Sequence, residues 1–169
     1  MSKNNYYLKP TLKTIKQGMA LEDANGKIVC EAKMLKFKWF TASPYDFINN
    51  ITNSKEEHKI GKTVTLEETG AIGFFSRKSS FKYDGKNIWD YLHEKGIRIN
   101  SSMQSGKIGM TYDISFEGNE IATITSSSPK GKSLITTDMY YDITCDEKDL
   151  DLVFLVAFAI AKTEQIIYD

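Results

Sequence analysis

The longest hydrophobic pattern in the chain lies near its C-terminus, where residues 152–161 read LVFLVAFAIA without one polar position. A helix on a protein surface pairs an apolar stripe with a polar face, whereas this run is apolar on every face. The run is far shorter than the roughly 20 residues that a transmembrane helix needs. The pattern therefore predicts a helix buried in the core of the protein, and it does not predict a membrane span.

Polar residues before this run mark the predicted start of the helix. Thr144-Cys145-Asp146-Glu147 has the spacing of a capping box. Asp149 and Asp151 follow at positions where acidic side chains suit the positive N-terminal end of a helix dipole. These signals predict that the helix begins shortly after residue 144.

Most of the preceding chain has the alternation and the turns of short β-strands. Residues 35–39 alternate strictly, which predicts that Leu35, Phe37 and Trp39 share one face of a strand. Asn25-Gly26 and Asp84-Gly85 have the composition of tight hairpin turns. The segments with strand character are 27–33, 35–39, 45–49, 58–65, 81–83, 86–88, 108–116, 120–125 and 133–143. In total, the patterns predict about ten to twelve short strands.

One short helix is predicted to interrupt the strands. Ile88 and Leu92 have helical i,i+4 spacing, and Gly96 suits the position just after a helix end. No interior linker marks a domain boundary, so residues 1–169 are interpreted as a single domain. A barrel wider than about eight strands leaves a lumen that close packing has to fill. We therefore expect a mainly β fold, a closed antiparallel barrel of about twelve strands around the apolar C-terminal helix.

Three segments resemble the tubby C-terminal-like superfamily, which includes LURP-one-related proteins, phospholipid scramblases and small bacterial proteins. The segments are 24–29 with Lys33, 112–124 and, most specifically, 149–160. The resemblance covers most of residues 6–169, although 74–99 carries no family motif. It implies a closed barrel that encloses a hydrophobic C-terminal helix. It also implies binding of anionic lipid headgroups through basic residues on the barrel surface, without assigning those residues individually.

Charge is unevenly distributed in a chain whose formal net charge is zero. Residues 1–38 hold eight lysines against three acidic residues, whereas residues 138–169 hold eight acidic residues against two lysines. Without a global positive field, nucleic acid is not an expected partner. The first residues lack the apolar core of a secretion signal, and Cys30 and Cys145 are isolated. We therefore expect a cytoplasmic protein with two reduced, buried thiols.

The basic faces of the strands are the predicted binding site for an anionic surface. Lys36 and Lys38 alternate with apolar residues, and Arg77 and Lys78 follow an aromatic pair. These four residues would meet an anionic lipid headgroup, while an unknown protein is the other expected partner. The alternative interpretation of the same pattern is a solvated strand face that binds nothing.

Candidate chemistry elsewhere is sparse, so we expect a non-enzymatic binding or scaffold domain without cofactor or metal. The alternative is a small hydrolase or metal-dependent enzyme that uses His58 or His93 with nearby carboxylates. The acidic segment 142–151 leaves open a calcium site, because scramblases carry a calcium-linked segment in the comparable place. It lacks the alternating ligands and central glycine of an EF-hand loop, and helix capping accounts for it without a metal.

Overall fold

The computed structural model describes residues 3–13, 16–35, 43–50, 63–70, 77–83, 85–103, 110–127 and 140–168. This part of the chain is mainly β, with eleven strands in one antiparallel sheet and two α-helices. The strands are β1 (Asn4–Lys13), β2 (Lys16–Glu22), β3 (Ile28–Met34), β4 (Ser43–Asn49), β5 (Thr63–Gly70), β6 (Arg77–Tyr83), β7 (Lys86–Asn87), β8 (Ile97–Met103), β9 (Met110–Phe116), β10 (Asn119–Ser127) and β11 (Tyr140–Cys145). The helices are α1 (Ile88–Lys95) and α2 (Leu150–Tyr168), and a single 3₁₀ turn (Glu147–Asp149) precedes α2.

The strand order is β7-β6-β5-β4-β3-β2-β1-β11-β10-β9-β8. Neighbours in this order are consecutive in the chain except β1 and β11, which pair with Asn4 opposite Cys145 and Leu8 opposite Tyr141. The first and last strands therefore lie side by side in the middle of the sheet. The two edge strands, β7 and β8, are joined in sequence by α1, which contacts both of them.

The predicted hairpins are confirmed where the structure describes them. Gly26 has φ +80° in the β2–β3 connection, where the Asp23 carboxylate accepts hydrogen bonds from the backbone N–H groups of Asn25 and Lys27. Glu117 and Gly118, with φ +49° and +84°, form the two-residue turn between β9 and β10. Positive φ at both positions gives the twist that an antiparallel hairpin needs.

Two predictions about element boundaries are wrong. β3 ends at Met34, and Leu35 is 49% exposed, so this residue does not join the core; residues 36–40 lie outside the described part of the chain. Thr144 does not cap α2, because it lies in β11, opposite Asn5 and Thr123. Asp146 caps the 3₁₀ turn that precedes α2, and its carboxylate accepts a hydrogen bond of 3.1 Å from the Lys148 backbone N–H.

The apolar C-terminal run forms the buried helix that its pattern predicts. Every residue of α2 from Leu150 to Lys162 is buried, on all sides of the helix. The helix lies against β4, where Tyr45 and Phe47 have ring centroids 5.1 Å from that of Phe158. None of the helices in the described ranges combines the length and the apolar character that crossing a bilayer requires.

The sheet is curled around α2. β6 and β10 are seven positions apart in the sheet order, a separation of about 34 Å in a flat sheet at roughly 4.8 Å per strand. A helix with its side chains is only about 10–12 Å across, yet α2 contacts both strands. Within the described residues the hydrogen-bonded order ends at β7 and β8, so closure of the ring into a barrel stays a prediction.

Candidate functional site

The predicted basic site is only partly within the described structure. Lys36 and Lys38 lie outside the described residues. Arg77 and Lys78 are the first two residues of β6, in backbone register with Gly70 and Thr69 of β5. The structure therefore gives β6 as the position of two of the four predicted residues, and it does not test whether the four converge.

Three lysines of residues 1–38 are paired with carboxylates. Lys3 lies 3.0 Å from Glu120, Lys33 lies 3.8 Å from Glu31, and Lys9 pairs with Glu22. Lys3 is in the basic N-terminal segment, and its partner is in β10, so folding neutralises part of the charge asymmetry seen along the sequence. Three of the eight lysines of residues 1–38 thus belong to mixed-charge pairs on the surface and not to a uniformly basic face.

Of the two histidines, only His93 lies in the described part of the chain. His93 is exposed in the last turn of α1, where its carbonyl oxygen accepts hydrogen bonds from the Gly96 N–H and from Arg98 Nη1. The adjacent Glu94 pairs with Lys86 at 2.8 Å. His58 lies outside the described residues. Among the residues that are described, no group of three His, Cys, Asp or Glu side chains is arranged to hold a metal ion.

The acidic segment 142–151 divides into exposed and buried parts. Asp142 is exposed on β11, whereas Asp149 and Asp151 are only 7% and 6% exposed at the start of α2. Asp151 accepts a hydrogen bond from the side-chain amide of Asn49 at the end of β4. Carboxylates at this end of a helix are stabilised by its dipole and by the backbone N–H groups of the first turn. The segment is therefore an anchor for the start of α2.

The two thiols lie near this acidic end of α2 and are poor nucleophiles. Both cysteines are buried and neither is in a disulfide, as predicted. Burial, with a contribution from Asp149, raises the pKa of Cys145 to about 12. Burial and, to a smaller extent, the Asp151 charge raise the pKa of Cys30 above its usual range. Because the thiolate is the reactive form, the protonated thiols of Cys30 and Cys145 act here as small core residues.

A buried lysine, Lys162, lies at the other end of the buried stretch Leu150–Lys162 of α2. Lys162 is only 6% exposed, and its Nζ atom lies 5.3 Å from the ring centroid of Tyr45 and 5.9 Å from that of Phe158. An ammonium at this distance from the rings makes cation–π interactions that gain strength when water is excluded. Lys162 follows Phe158 by four residues, and this spacing in the sequence predicts that the two side chains share one face of the helix.

Alternate residues of β4 bring these features into one stripe along α2. Asn49 bonds to Asp151, Phe47 packs at 5.6 Å from Phe154, and Tyr45 meets Lys162. The strand and the helix run in opposite directions, with a polar contact at each end of an aromatic centre. Sequence reasoning identified the apolar run but missed Asn49 and Lys162. These contacts between β4 and α2 fix the position of the helix inside the sheet.

Comparison of the chain with protein-family models, with curated proteins and with solved structures gave no match.

Proposed function

We propose that this protein is a non-enzymatic binding or scaffold domain whose partner meets the outside of the sheet. The observation that carries the proposal is the burial of α2 on all sides from Leu150 to Lys162. Barrel-like proteins that carry small molecules hold them in the interior. Here the side chains of the protein itself occupy that interior, which leaves the outer surface for recognition.

The tubby C-terminal-like architecture is part of this proposal. A curled sheet of eleven described strands with a buried C-terminal helix supports it. The order of the strands also supports it. The two outermost strands, β7 and β8, are connected in the chain by α1, and this short helix contacts both of them. Closure into a barrel of about twelve strands, membership of the superfamily and a cytoplasmic location are its further components.

The proposed partner is either an anionic lipid surface or another protein. Lys36, Lys38, Arg77 and Lys78 are the residues proposed for the lipid surface. The ion pairs of Lys3, Lys9 and Lys33 favour a protein partner for the strands that carry them, because paired charges attract an anionic surface weakly. The enzyme alternative through His58 or His93 gains no support from the exposed position of His93.

Cosedimentation with vesicles that contain anionic lipid separates the two partner classes. Replacing Lys36, Lys38, Arg77 and Lys78 by Ser should weaken binding by up to about 1,000-fold, at about 1 kcal/mol for each basic residue near the bilayer. Binding should also fall as salt is raised, since charges are screened within about 8 Å at physiological ionic strength.

The matched control removes four lysines that have carboxylate partners in the structure, namely Lys3, Lys9, Lys33 and Lys86. This control changes the net charge by the same amount. Equal losses of vesicle binding in the two variants would therefore show that binding depends on net charge and not on the four proposed residues. If the wild-type protein does not cosediment with the vesicles at low salt, the anionic lipid surface is ruled out as the partner, and a protein partner is the remaining proposal.

A further inference from the structure

We draw no further inference here: the strongest candidate, the pair of buried carboxylates Asp149 and Asp151 at the start of α2, belongs to the helix anchor already described, and no second observation in the described part of the chain points to a ligand there.

Discussion

The two helices of this protein are specified in different ways. α1 has eight residues, a side-chain cap from Asn87 and a left-handed Gly96 with φ +100° at its end, and it buries only Ile88 and Leu92. α2 continues for 19 residues, and every residue from Leu150 to Lys162 is buried. The local sequence therefore specifies the ends of α1, whereas the formation of α2 depends on packing against the sheet that surrounds it.

This difference has an energetic consequence. Caps contribute about 0.5–2 kcal/mol each, while complete burial of one large apolar side chain contributes about 1.5–3 kcal/mol. α2 buries many such side chains, and most helical stability in proteins comes from packing of this kind. We therefore expect substitutions in α2 to decide whether the protein folds, and substitutions at the ends of α1 to change its stability by small amounts.

The largest effect is expected from Phe158→Asp in α2. Phe158 is fully buried between Tyr45 and Phe47, so a carboxylate there would lose its hydration among aromatic rings. Burying an unpaired charge costs several kcal/mol, and total stability is only about 5–15 kcal/mol. The variant should unfold or aggregate, as measured by circular dichroism and by recovery of soluble protein.

The counterpart in α1 is Trp89→Asp, at a half-buried position that packs against the core. There the new carboxylate reaches water and lies in the first turn of the helix, where negative charge is favourable. This variant should fold with a loss of about 1–3 kcal/mol. If Phe158→Asp were as stable as Trp89→Asp, the description of α2 as a helix enclosed by the sheet would be wrong.

An intermediate effect is expected at the polar contact between β4 and α2. Asn49→Ala removes the amide that donates to the buried Asp151 carboxylate, and hydrogen bonds to charged groups contribute about 1.5–3 kcal/mol. Denaturant unfolding at neutral pH should show a loss of that size.

Asn49→Asp tests whether charge or volume causes this loss. It keeps the size of the side chain but places a second carboxylate beside Asp151, so it should destabilise more than Asn49→Ala at pH 7. Protonation of either carboxylate relieves the repulsion, and the gap between the two variants should shrink as the pH falls toward 4. A gap that does not change with pH would contradict the charged contact.

Much of the fold is predictable because the relevant signals are local. The apolar run predicts α2, Ile88 and Leu92 with Gly96 predict α1, and Asn25-Gly26 predicts the β2–β3 hairpin. Leu35 shows the limit of such reasoning, since alternation assigns it to a strand over 35–39, whereas the residue lies after the end of β3 and outside the described strands. The order of the strands depends on the pairing of β1 with β11, which no local pattern specifies.

The features of the candidate site were harder to predict because they too depend on contacts between residues that are far apart in the sequence. Asn49 is an ordinary strand residue in the sequence, and its partner Asp151 is 102 positions away. The basic site at Lys36, Lys38, Arg77 and Lys78 stays a prediction, because charge along a sequence does not show which lysines fold against carboxylates.

The smallest effect is expected at the start of α1. Asn87→Ala removes the side-chain oxygen that accepts from the Trp89 N–H at 2.9 Å and should cost about 1 kcal/mol. For a protein of this size, such a loss lowers the melting temperature by about 2–4 °C. Asn87→Asp keeps an acceptor of the same length, and because Asp caps helices as well as Asn does, it should leave the melting temperature nearly unchanged. A loss shared equally by both variants would show that the position acts through something other than its hydrogen bond to α1. A loss confined to Asn87→Ala, and much smaller than that of Phe158→Asp, would confirm that α1 is held by its local cap and α2 by its surroundings.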